Sequence, residues 1–181
     1  GPEYEHFNMK PMFRYNSYFG INTVHYLDLI GITRPSRLPL IKISRSALLT
    51  KFVKQGAVTS STETVLKPFY VDLFNSLNSL SFMAYINKKG TPEIIPVLQC
   101  QASDPNRLAF HPGVYQRQLK LVEPGTDVAI FCMSMQMESV LVKGTYNGVR
   151  RRRGIRLGTV DIDHVYNSMI PTPGQIYPEK G

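Results

Sequence analysis

The chain predicts a mainly β protein, a closed or partly closed β-barrel with a few helices, and three observations carry that prediction. Residues 80 to 167 hold about six short apolar or alternating runs, each bounded by turn residues. A single helix-compatible segment interrupts them after the third run. No strand–helix–strand repetition is visible of the kind that would build a parallel, doubly wound sheet.

Each element has its own signal. INTVHYLDLIGI, from Ile21 to Ile32, is β-rich and ends near Gly31, so a strand is expected there. Arg34-Pro35 and Leu38-Pro39 then interrupt regular structure. From Ser44 to Gly56 a serine cap precedes ALLTKFVKQ, whose Leu48, Leu49, Phe52 and Val53 share one helical face, with Gly56 as a stop. Ala57 to Thr64 is dense in Ser and Thr and marks a boundary between an N-terminal arm, 1–64, and a barrel domain, 65–181. Pro68 to Leu80 reads as a second helix, because Val71, Phe74, Leu77 and Leu80 recur every three residues.

The barrel segments follow. SFMAYIN and TPEIIPVLQCQA flank Lys88-Lys89-Gly90 and form a hairpin. A turn at Ser103 to Asn106 leads to the short strand RLAF. Val114 to Val122 is helix-compatible and is closed by Pro124-Gly125. DVAIFCMSM and ESVLVKGTY are strands, with Asn147-Gly148 as a type I′ turn signal, and GTVDIDHVY alternates as a last strand. The proline-rich tail from Pro171 to Pro178 is expected along a surface.

Composition narrows the function. Of the 181 residues, 43% are hydrophobic and 19% charged, which fits a folded globular protein. There is neither a long apolar stretch nor a basic-then-apolar opening, so a cytoplasmic protein without membrane partners is expected. Cys100 and Cys132 lack metal-ligand spacing and are expected as core fillers. No Ser/His/Asp set or carboxylate pair recurs at useful spacing, which argues against hydrolysis. The net charge of +8 favours an anionic partner: nucleic acid, a phosphorylated cofactor or an acidic membrane surface. Arg150 to Arg153, with Arg156 close behind, concentrate that charge. The run lacks interleaved aromatics for base stacking and any helix-turn-helix or RNP signature, so nucleic acid is not expected, and the phosphate of a cofactor or an anionic substrate is the favoured partner beside a plain solvated hairpin.

From Ser81 to Val149 the order of parts resembles the pyridoxamine 5'-phosphate oxidase-like family. The matching junctions are Gly90-Thr91-Pro92 in the first hairpin, Asp104 in the next turn, Phe110 at a strand end, a helix carrying a basic residue, a VAIFCM strand, and Lys143-Gly144. The resemblance implies a split β-barrel of the FMN-binding type, working as a homodimer. It further implies flavin mononucleotide at the subunit seam and a small-molecule redox substrate.

By position in that pattern, His111, Gln116 and Arg117 fall where the family places phosphate donors. Ile95, Pro96, Val97 and Gln99 fall on the strand beside the ring, and Gln101 and Ser139 are placed to add side-chain bonds. An FMN-dependent oxidoreductase is the implied activity, in which the cofactor carries the redox chemistry. His111-Pro112-Gly113 stands where many members have a hydroxyl. A haem, a deazaflavin, or a cofactor-free barrel that binds an anion therefore stays open as the alternative.

Overall fold

The computed structural model describes residues 37–59, 63–169 and 173–179, together with Pro2, Glu5, Met9, Tyr26, Asp28 and Leu29. Two compact units, Gly1–Leu38 and Pro39–Gly181, divide the chain, and the second holds every element named below. The helix that the sequence assigned to the N-terminal arm thus lies in the same unit as the strands. Apart from Tyr26, Asp28 and Leu29, the strand expected over Ile21 to Ile32 is outside the described residues.

Helix α1 spans Leu40–Val53 and runs into a 3₁₀ turn, Lys54–Ala57; helix α2 spans Pro68–Asn75. The strands are β1 (Ser79–Ile86), β2 (Pro92–Pro96), β3 (Gln101–Asp104), β4 (Arg107–Phe110), β5 (Asp127–Ser134), β6 (Ser139–Arg152), β7 (Ile155–Asn167) and β8 (Gly174–Tyr177). One helical turn, α3 (Gln116–Leu119), sits between β4 and β5. The sheet runs β2-β1-β5-β6-β7-β4-β3, with β8 added against β7. Its pairings are antiparallel.

That order makes the sheet curl. Its two edge strands, β2 and β3, are consecutive in sequence and are joined only by Val97 to Cys100. Such a link reaches about 17 Å, whereas the outer strands of a flat sheet of this width would lie about 29 Å apart. The edges must therefore face each other, and the result is a barrel split between β2 and β3.

The inward residues fill it. Burial alternates along β1 and β5, and Met83, Ile130, Val142 and Val160 join Leu108 and Phe110 in one core. Helix α2 adds Tyr70, Leu73 and Phe74 to the same core. Phe110 stacks on Tyr146 at 6.2 Å between centroids, and Gly158, opposite Phe110, leaves room for its ring. Cys100 and Cys132 are buried there as free thiols, as expected.

Several sequence expectations need correction. Helix α1 starts at Leu40 and turns Ser46, Thr50 and Val53 inward, whereas Leu48 is 57% and Phe52 71% exposed. Thr50 Oγ1 donates to Ser46 O, so this polar inward face is internally bonded. Helix α2 ends at Asn75, because Ser76 turns extended (φ −72°, ψ 138°), and Leu77 is left 92% exposed. The single strand expected from Thr91 to Ala102 is two, since the chain turns after Pro96 and Cys100 N–H closes on Val97 O at 2.7 Å. The helix expected over Val114 to Val122 is the one turn α3.

Asn147-Gly148 is not a turn. Gly148 takes φ +77° inside β6, at a register shift against β7, and packs against Pro124. The hairpin closes instead at Arg153-Gly154, both with positive φ (47° and 78°), between the paired Arg152 and Ile155.

Candidate functional site: a cationic cleft at the β6–β7 hairpin

After β4 the chain passes through His111, Pro112 and Gly113 into α3. This turn places Gln116, Arg117 and Lys120 at the surface beside the hairpin. Two adjoining concavities result. The first, about 170 Å³, has Arg156, Gln116 and Lys120 on its rim, over apolar groups that include Pro112, Leu119 and Tyr146. The second, about 500 Å³, is lined by Gln116, Arg117, Gln118 and Lys120 with Gly113 and Val114. Gln116 and Lys120 belong to both. Arg156 Nη2 donates to Gln116 Oε1 at 3.0 Å, which ties α3 to the hairpin. Each concavity thus offers one guanidinium beside the shared Lys120 ammonium, donors suited to an anion with several oxygens.

Of the residues singled out by sequence, Gln116 and Arg117 meet in this cleft. The others do not join them. Ile95 and Val97 are buried in the core, and Val97 N–H is spent on Ser81 O. Pro96 pairs opposite Phe82 at the end of β2. Gln99 is fully buried; its Nε2 donates to His111 O at 2.7 Å, and its Oε1 has no partner among the described residues. Gln101 Nε2 donates to Ala47 O of α1 at 3.0 Å. Ser139 is buried where β6 begins, about 23 Å along that strand from Tyr146 at the cleft.

His111 sits between the cleft and α1. Its N–H donates to Thr50 Oγ1 at 2.9 Å, and its Nδ1 accepts from Gly113 N–H at 3.1 Å, with Ser46 Oγ 3.3 Å away. Burial lowers its pKa, and the charges of Arg156 and Arg45 lower it further. Both effects favour the uncharged ring, and the Gly113 N–H suits Nδ1 as its acceptor. Lys120 and the role of Arg156 escape sequence reasoning, because neither lies in a periodic pattern. Only the surplus of positive charge pointed to them.

A further concavity of about 410 Å³ shares Lys120 with the cleft and has Tyr85 and Glu93 on its wall. Tyr85 also borders an outer groove of about 450 Å³, floored by Ala84, Val128 and Ala129 with Lys143, Asp163 and His164 at its rim. Tyr85 Oη donates to Glu93 at 2.7 Å, and burial and this bond push its pKa up to about 12. At the rim His164 pairs with Asp163 at 2.7 Å, and Lys143 lies 5.1 Å from the centre of the Tyr166 ring. Lys120 is thus common to the cleft and the Glu93 concavity, and Tyr85 to that concavity and the apolar groove. Among the described residues no His/Cys/Asp/Glu group suits a metal ion, and no helix is long and apolar enough to cross a membrane.

Fold and site together define a split-barrel protein with two adjoining surface concavities lined by Gln116, Arg117, Lys120 and Arg156. For flavin mononucleotide the phosphate end fits, since Gln116, Arg117, Lys120 and Arg156 are suitable donors. The ring end fits only through backbone and outer surface, because the side chains of Ile95, Val97 and Gln99 are enclosed and His111 is held by α1.

No family model matches the chain, and no curated protein matches it. Among solved structures it is similar to a candidate pyridoxamine 5'-phosphate oxidase from Lactobacillus delbrueckii, at 20% identity over 57% of this chain and 95% of that one, TM-score 0.43. It is also similar to HupZ of Group A Streptococcus, at 15% identity over 61% and 98% of the two chains, TM-score 0.47. A single-substitution variant of HupZ gives 16% identity, 56% and 98% coverage, and a TM-score of 0.44. At these identities and scores, what bears on function is this chain's own residues.

Proposed function

We propose that the chain is a flavin mononucleotide-binding protein of the pyridoxamine 5'-phosphate oxidase-like family, acting as an oxidoreductase in a pair of barrels. The observation that carries this is the pair of adjoining concavities that share Gln116 and Lys120, one lined also by Arg156 and the other by Arg117. A phosphate dianion gains charge-assisted bonds from Lys120 and the guanidinium beside it. The apolar groove beyond Tyr85 offers backing to a flat ring. When bound, the flavin would supply the electron-accepting and electron-donating chemistry; the chain binds it, orients it and screens it from water.

Pairing is supported by the outer face of the sheet. Pro96, Phe82, Phe131, Leu141 and Tyr166 lie side by side across five strands in register. Ile94 beside them is 70% exposed. An apolar row of this width fits burial against a second copy.

A second reading is a cofactor-free barrel that binds an anionic ligand in the same cleft. The enclosure of Ile95, Val97 and Gln99 favours it. The absorbance spectrum of the purified chain, with mass spectrometry of any released ligand, separates the two. A flavin spectrum, or uptake of added flavin mononucleotide weakened roughly tenfold or more by Arg117→Ala, supports the first reading. Colourless protein that refuses flavin but binds inorganic phosphate supports the second.

A further inference from the structure

Helix α1 carries three large apolar residues on the side turned away from the barrel. At about 100° per residue, Leu48 and Phe52 project within about 20° of Ile41, while Ser46, Thr50 and Val53 point the opposite way into the barrel. Ile41 is 86% exposed, and with Leu48 and Phe52 it forms a narrow apolar stripe about 16 Å long. Lys42 and Arg45 flank one side and Lys51 the other, and all three are exposed. No acidic residue occurs between Asp28 and Glu63.

The arginine hairpin lies alongside. Arg152 Nη1 donates to Gly56 O at 2.8 Å, which pins the hairpin tip to the turn that follows α1. Arg150, Arg151 and Arg153 are exposed there, and between Ser139 and Val160 the chain again has no acidic residue. The exposed Ile, Leu and Phe side chains of α1 and the arginine cluster of the hairpin tip thus meet at the turn that follows α1.

We infer that this side docks the protein on an anionic lipid bilayer, with Ile41, Leu48 and Phe52 entering the headgroup boundary and the flanking cations meeting lipid phosphates and carboxylates. A helix that offers an apolar stripe and a basic border lies in an interface of this kind. Nucleic acid would match the arginines and could stack on Phe52 but would leave Ile41 and Leu48 in water. That no helix among the described residues spans a membrane has no bearing on binding of this type. The inference stands apart from the flavin reading, since neither surface needs the other's ligand.

Co-sedimentation with phosphatidylcholine vesicles, with or without phosphatidylserine, tests it on the full chain. The expected result is pelleting with the anionic vesicles that falls with salt, and little with phosphatidylcholine alone. Ile41→Ser, Leu48→Ser and Phe52→Ser combined should weaken it roughly tenfold or more. Arg45→Glu with Lys51→Glu should weaken it as much, which keeps the test decisive if the triple variant does not fold. No pelleting with anionic vesicles overturns the inference. So does binding that is indifferent to the stripe, whether to vesicles or to a single-stranded oligonucleotide, and so does a stripe that governs only self-association in sedimentation equilibrium.

Discussion

Gly144 is the residue with least freedom. It sits in β6 at the register shift where β7 bulges at Asp163, and a Cβ there would stand 1.9 Å from the backbone oxygen of Asp161. Backbone cannot step aside as a flexible side chain can. Gly144→Ala should therefore cost about 3 kcal/mol or more, seen as a lower urea midpoint. A midpoint close to that of the parent chain would show that the two strands can separate without penalty.

Asp161 and Arg107 make a pH-dependent joint. Burial pushes the Asp161 carboxyl upward, yet the bonds and charge of Arg107 and a bond from Asn147 together outweigh it, and its pKa lies below the ordinary value. The same guanidinium reaches Ala57 O at 3.1 Å, tying β4 to the turn after α1. A depressed carboxylate contributes stability above its unfolded pKa of about 3.9, and the contribution disappears as pH falls through the folded value. Urea midpoints compared at about pH 5.5 and about pH 3 should drop on acidification, and the drop should be smaller in Arg107→Ala. His111 acts in the same direction. Its lowered pKa means that protonation favours the unfolded chain, so its ring should titrate by NMR below the usual 6.5.

At the scale of elements, α1 is fastened to the barrel by polar groups. Thr50 Oγ1 accepts from His111 N–H while donating to Ser46 O, and Ala47 O accepts from Gln101. Thr50→Val keeps the shape and deletes both bonds, leaving a partly buried N–H unsatisfied. A loss of about 1–3 kcal/mol is expected by chemical denaturation. An unchanged stability would mean that apolar contact alone holds the helix.

This is also where the sequence misleads. Apolar spacing puts Leu48 and Phe52 inward, but the inward surface is set by the hydrogen bonds that β3 and β4 need, and these select Ser46 and Thr50. In the β6–β7 hairpin, Asn147-Gly148 has the composition of a turn. The strands nevertheless continue, because Gly148 is required where Pro124 presses on β6, and Arg153-Gly154 satisfies the turn instead. Alternation reports strands well, whereas it cannot say which of two glycines ends one.

At the scale of the whole molecule, most strands are legible because each buries one face, so that the period of two survives in sequence. The mainly β class follows from them. Curling of the sheet is not local information, since it arises when the short link Val97 to Cys100 brings the two edges together. The candidate site is legible only in part for the same reason. Gln116 and Arg117 are neighbours in sequence and stay together, but Arg156 arrives from the far hairpin, and Ser139 is carried to the opposite end of β6.

If the chain takes up a flavin as proposed, the phosphate is what the cleft holds. Titrating the purified chain with flavin mononucleotide and, separately, with riboflavin tests it most directly, because the two ligands differ only in that phosphate. Quenching of flavin fluorescence should report binding of the mononucleotide at least about tenfold tighter than riboflavin, and the advantage should vanish in Arg117→Ala with Arg156→Ala. Equal affinities, or no binding of either, would contradict the account.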